Sequence, residues 1–190
     1  MMKTSVLMLI VGACGSAASG QTVVDQENIA DFAAGLAYIG TGSPAQVAQE
    51  FKQTNGNISG ASIQLGSFWG SDTVTLGIYT GDPYLGGTLV SGAIGTGSGS
   101  PGSWIDVFWP AVSITPGASY WLGVEGTTGG GVVCYTTPGS VYPSGGWHYY
   151  GTDYTESYDM GFKTWYDVPA PGAAALLGLG GLAAARRRRR

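Results

Sequence analysis

Between residues 45 and 165 the chain runs as short β-branched or aromatic stretches broken every few residues by Gly, Ser, Asn, Asp or Pro. That punctuation stops a helix from propagating and reverses an extended backbone, so strands joined by turns are what remains. Thr73-Val74-Thr75-Leu76-Gly77-Ile78 alternates most cleanly and puts Val74, Leu76 and Ile78 on one face. Ser62 to Leu65 alternates too, and further strands are expected at 48–53, 88–94, 104–109, 119–125, 132–136, 147–150 and 159–165. Gly81-Asp82-Pro83, Thr115-Pro116-Gly117, Pro138-Gly139 and Pro143 to Gly146 supply the turns. About nine strands suffice to pack two sheets, so the expected fold class is all-β, a two-sheet antiparallel β-sandwich. Residues 28–35 alone have helical flavour, and the Gly-Ser stretch 95–103 is expected to be a flexible loop.

The two ends differ from this body. Residues 1–20 carry one cation, Lys3, then the apolar stretch 6–11, then small residues up to Gly20. That order predicts an N-terminal signal peptide, with Ala18 and Gly20 at the positions a signal peptidase inspects and cleavage before Gln21. A rival reading makes Val11-Gly12-Ala13-Cys14 a lipoprotein box with Cys14 lipidated. At the other end, Val168-Pro169-Ala170-Pro171-Gly172 precedes a run of only Ala, Leu and Gly at 173–185, and five arginines, Arg186 to Arg190, follow. Prolines end the preceding strand, the apolar run enters lipid and the arginines stay at the cytoplasmic headgroups. As a helix, residues 172–185 would span roughly 21 Å against a hydrocarbon core of ~30 Å, which suits a transient transmembrane helix rather than a permanent anchor. The expected division is therefore a signal peptide at 1–20, a β-sandwich domain at 21–167 and a tail at 168–190.

Between those ends only Lys52 and Lys163 oppose twelve acidic residues, giving the expected mature segment a formal charge of −10. Such a surface repels phosphate backbones and anionic bilayers, which argues against nucleic acid as a partner. With Cys14 removed, Cys134 has no partner for an intramolecular disulfide.

The chain's lone histidine, His148, sits in a strand-like aromatic run without a nucleophile elbow, so no catalytic residue is expected. Glu50, Asp106, Glu125 and Glu156 are eligible for paired-carboxylate glycoside hydrolysis, but spacing cannot say which of them face each other. For a cofactor the expectation is none, with Ca2+ the candidate if there is one: Asp153, Glu156 and Asp159 offer hard oxygen ligands, against the plainer reading that these acids solvate loops. The most suggestive set is aromatic. Tyr142, Trp147, Tyr149, Tyr150 and Tyr154 crowd one Gly- and Ser-rich stretch, and flat rings with polar tips suit sugar faces, so they are candidate carbohydrate-binding residues for an extracellular polysaccharide. Alternation puts Trp147 and Tyr149 on one side and Tyr150 on the other, so at least one set is expected in the core.

The tail resembles the PEP-CTERM sorting signal, in which a Pro-Glu-Pro-like motif, a short apolar helix and an arginine cluster present a protein to an exosortase-type processing enzyme. The matching residues are Val168, Pro169, Ala170, Pro171, Arg186 and Arg187, with Ala170 where that family carries Glu. The resemblance implies export to the cell surface or extracellular matrix, with transient inner-membrane anchoring by the tail. The body resembles a jelly-roll sandwich of exported bacterial proteins, carried by Ala48-Gln49-Glu50-Phe51, the segment 58–65, Trp104-Ile105-Asp106-Val107-Phe108, the segment 112–122 and the segment 159–164. Together these readings imply an exported, non-catalytic surface or matrix protein. A carbohydrate-binding module is the alternative and a glycoside hydrolase the more remote one.

Overall fold

In the computed structural model, residues 20–29, 36–38, 46–66, 72–126, 132–134, 142–153 and 158–169 are described. The chain is all-β, built from antiparallel sheets, and residues Thr22–Val168 form one compact unit. Its strands are β1 (Gln21–Asn28), β2 (Leu36–Tyr38), β3 (Val47–Lys52), β4 (Asn57–Gln64), β5 (Asp72–Tyr79), β6 (Leu89–Gly99), β7 (Trp104–Ser113), β8 (Ser119–Gly126), β9 (Val132–Cys134), β10 (Trp147–Tyr149), β11 (Thr152–Asp153) and β12 (Phe162–Val168). One sheet has the order β1-β12-β4-β7 and the other β11-β10-β3-β8-β5-β6, while β2 and β9 form a separate pair. Among the described residues the only helical element is a single 3-10 turn, Pro83–Leu85.

Buried side chains from both large sheets merge into one cluster. Val47 and Phe51 of β3, Val74, Leu76 and Ile78 of β5, and Leu122 and Val124 of β8 meet Ile58, Ala61 and Ile63 of β4, Ile105 and Val107 of β7, and Phe162 of β12. The alternation in β5 accounts for its part: the apolar set is buried, while Thr73 and Thr75 turn outward and bond Ser98 and Thr96 across the ladder at 2.8 and 3.4 Å.

Three expectations change. The Gly-Ser stretch is not a loop through its length, because β6 continues to Gly99 and pairs with β5 up to Asp72. Gly95, Gly97 and Gly99 recur every second residue on the inner face, where a Cβ would come within 2.7, 2.7 and 2.5 Å of Val107 or Ile105 side chains. Glycine here lets β6 approach β7 closely, and the intervening Thr96 and Ser98 supply the outer hydroxyls. Secondly, β1 was not expected, since its sequence QTVVDQEN has little apolar alternation. It is held by polar bonds instead: Thr22 Oγ1 donates to Asp167 Oδ1 at 2.8 Å, Gln26 N to Thr164 Oγ1 at 3.2 Å and Asn28 Nδ2 to the Met160 carbonyl at 2.8 Å. Asn28 thus closes a strand rather than opening a helix, and the rest of the expected helical segment, 30–35, lies outside the described residues. Finally, β12 starts at Phe162, with Asp159 buried ahead of it rather than paired within it.

Candidate functional site

The aromatic stretch divides between core and surface. Trp147 pairs with Gln49 of β3 and points inward with Tyr149, their rings stacked at 5.8 Å and 13°. Tyr142 is also buried, edge-on to Phe162 at 5.1 Å, and its hydroxyl donates to Gln26 Oε1 at 2.6 Å. Tyr142 and Trp147 therefore correct the expected sugar platform, because burial of these large rings in the core cluster leaves no open ring face on either. Tyr150 is 41% exposed, and Tyr154 lies outside the described residues.

Tyr150 and Gly151 form the two-residue turn of the β10–β11 hairpin, with φ of 52° and 71°. Positive φ at both positions is the mark of a type I′ turn, which matches strand twist. The turn packs on the 3-10 turn: Tyr150 meets Tyr84 edge-on at 6.0 Å, and a Cβ at Gly151 would lie 2.7 Å from Tyr84 Cδ1. Asp82 initiates that 3-10 turn, its Oδ1 accepting from Tyr84 N at 2.8 Å, and Gly86 at φ 93° closes it.

The other oxygen of Asp82 reaches β10. Asp82 Oδ2 lies 2.7 Å from His148 Nδ1, with the Asp82 side chain buried, and Asp153 Oδ1 lies 3.6 Å from Nε2. Trp121 of β8 packs on the imidazole, ring centroids 4.5 Å apart. With the carboxylate as acceptor, Nδ1 carries the proton, so Asp82 fixes both tautomer and ring plane. The geometry ties the 3-10 turn to the hairpin, and both ring nitrogens face carboxylates rather than a nucleophile. Gly81-Asp82-Pro83 was legible as a turn, but its link to a histidine 66 residues later was not.

The calcium set separates as well. Asp153 is exposed beside His148, Glu156 lies outside the described residues, and Asp159 is fully buried. Asp159 Oδ1 accepts from Gln49 Nε2 at 2.7 Å and Oδ2 from Tyr142 N at 2.6 Å, while Gln49 Oε1 accepts from Met160 N at 2.8 Å. Burial pushes this carboxyl up to about 6 against those two hydrogen bonds. Asp159 is thus a correction to the ligand set, since its oxygens serve a buried polar network. Among the described residues no group of three His, Cys, Asp or Glu side chains is placed to hold a metal ion.

Trp104 and Trp165, expected in the core with Trp109 and Trp121, are instead only partly buried and stand on the outer side of the four-stranded sheet. Trp104 and Phe108 of β7 and Lys163 and Trp165 of β12 line its outer surface, with Lys163 Nζ 4.5 Å from the Trp104 ring centroid and 2.9 Å from Glu27 Oε1. Of the tail motif, Val168 ends β12 and Pro169 follows exposed, whereas Ala170, Pro171, Arg186 and Arg187 lie outside the described residues. Among the described residues no helix is long and apolar enough to cross a membrane. No protein-family model matches the chain, and comparison with curated proteins gives no match.

Proposed function

We propose that this chain is an exported, non-catalytic surface or extracellular-matrix protein whose jelly-roll-like β-sandwich is delivered by a cleaved signal peptide and a C-terminal sorting tail. The observation that supports it most is the placement of the compact unit. Thr22–Val168 begins one residue after the expected start of the mature chain and ends at the first residue of the Val-Pro-Ala-Pro motif. Removing both ends would leave the paired strands and the common core whole. The shared cluster fed by both large sheets supports a sandwich, and the −10 charge of the inferred mature body suits solubility outside the cell.

In this reading the arginines hold the tail at the inner membrane while an exosortase-type enzyme acts near Pro169 to Pro171. Cell fractionation with intact-mass measurement tests it. A product starting at Gln21, or at a lipidated Cys14, and recovered outside the cytosol is the expected result. Full-length cytosolic protein retaining Met1 and Arg190 overturns the reading.

A further inference from the structure

The outer face of the four-stranded sheet carries three cross-strand rows. Trp165, Gly60 and Phe108 form one, Lys163, Ser62 and Asp106 the next, and Gln64 stands opposite Trp104 in the third. In the first row a Cβ on Gly60 would fall 2.7 Å from Phe108 Cδ1 and 3.2 Å from Cε1. The missing side chain is therefore what lets the Phe108 ring lie down on the sheet, and the residue is still 54% exposed. Trp165 stands against it at 62°, centroids 5.4 Å apart, and its indole N–H donates to Ser62 Oγ at 2.7 Å. Floor and wall make an aromatic corner whose geometry is set by the sheet before anything binds, so little ordering cost remains for a ligand.

We infer that this face binds a neutral, extended polysaccharide chain. A pyranose presents apolar C–H surface on its faces and hydroxyls around its rim, and the sheet presents the same alternation as an aromatic row, a polar row and a second aromatic row. Asp106 is exposed between the rings, where a hydroxyl needs a partner, while Ser62 is buried beneath them and holds the Trp165 indole in place.

Charge selects the occupant. Lys163 is the one cation of the platform and is neutralised by Glu27, while the inferred mature body carries −10, so a polyanion is repelled and a neutral chain is not. The polar middle row also interrupts the continuous apolar core that a stable protein interface requires. Length favours a polymer: at ~3.3 Å per residue, Trp104 and Phe108 stand about 13 Å apart along β7, more than one sugar ring.

The test is calorimetric titration of the full-length protein, in a detergent without a sugar headgroup, with neutral β-linked gluco- and manno-oligosaccharides and with polygalacturonate. Affinity for at least one neutral series should rise with chain length. Phe108→Ala should weaken it about tenfold, Phe108→Tyr should largely retain it, and Leu85→Ala, on the 3-10 turn, should leave it unchanged. Unchanged melting of each variant separates loss of the platform from loss of the fold. No binding to either neutral series, polygalacturonate binding that Phe108→Ala abolishes, or wild-type affinity for the neutral series in Phe108→Ala would each overturn the inference. Purified protein is used, so this outcome is independent of where cells send the chain.

Discussion

Replacing Asp159 by Asn should flatten the acid side of the pH–stability profile, and the effect can be sized. Asp159 is 0% exposed, and burial raises its carboxyl from 3.8 to about 6 despite the bonds from Gln49 and Tyr142. Between those values the folded protein keeps a proton that the unfolded chain has already lost. Stability from this group is therefore fully present below 3.8 and is lost as pH rises through about 6. A rise from 3.8 to about 6 is worth about 3 kcal/mol. In Asp159→Asn the amide oxygen can still accept from Tyr142 N, but its NH2 meets the Gln49 amide nitrogen, and Gln49 cannot flip without abandoning Met160 N. That mismatch should lower stability by a roughly pH-independent 1–3 kcal/mol. Asp25 works in the opposite sense: burial raises its carboxyl, but hydrogen bonds from Thr54, Gln26 and Asn55 outweigh this and hold it below the usual range. Its contribution is present above 3.8 and lost as pH falls, and it cancels in the comparison. Urea unfolding at stepped pH values from 4 to 7 should show the wild-type advantage over the variant shrinking by about 2 kcal/mol as pH rises, the remainder being lost below pH 4. Parallel curves would mean that Asp159 stays ionised in the folded state, and the burial argument would be wrong.

Two other substitutions test the packing. Gly97→Val should cost about 1–3 kcal/mol by thermal melting, because its Cβ would lie 2.7 Å from Val107 Cγ2 and 2.8 Å from Ile105 Cγ2; an unchanged melting temperature would show that β6 can move away from β7. Asp82→Ala removes both the 3-10 cap and the partner of His148 Nδ1, so a loss of about 2 kcal/mol is expected, together with a shift of the His148 ring resonances. An unmoved imidazole spectrum would place that tie elsewhere.

The strands that could be read beforehand are those in which alternation and burial coincide. Val74, Leu76 and Ile78 needed only the period of two, and Trp147 with Tyr149 could be paired by the same rule. What the rule could not say for β10 was which side of the strand is the core, because both sides carry rings. β1 was illegible for a different reason. Besides its pairing with β12, it is fixed by side-chain bonds to residues more than 130 positions away, and local pattern carries no trace of them. The stretch Gly95 to Gly99 misled because glycine reads as freedom, whereas here its smallness is what lets two strands meet.

The outer platform shows where a finer reading of the same pattern has power. In β7 both parities are large and apolar: Ile105, Val107 and Trp109 on one side, Trp104 and Phe108 on the other. Hydrophobicity alone cannot rank them, but Asp106 shares the parity of Trp104 and Phe108, and a carboxylate between two sheets would be costly to bury. That one residue assigns the face: Ile105, Val107 and Trp109 are buried, and Phe108 is exposed. The same logic holds in β12, where Lys163 shares the parity of Trp165 while Phe162 and Thr164 turn inward. A charged residue two positions from an aromatic in the same strand is thus the local sign that the ring faces water, and rings held facing water on a rigid sheet are the ones with a surface to offer.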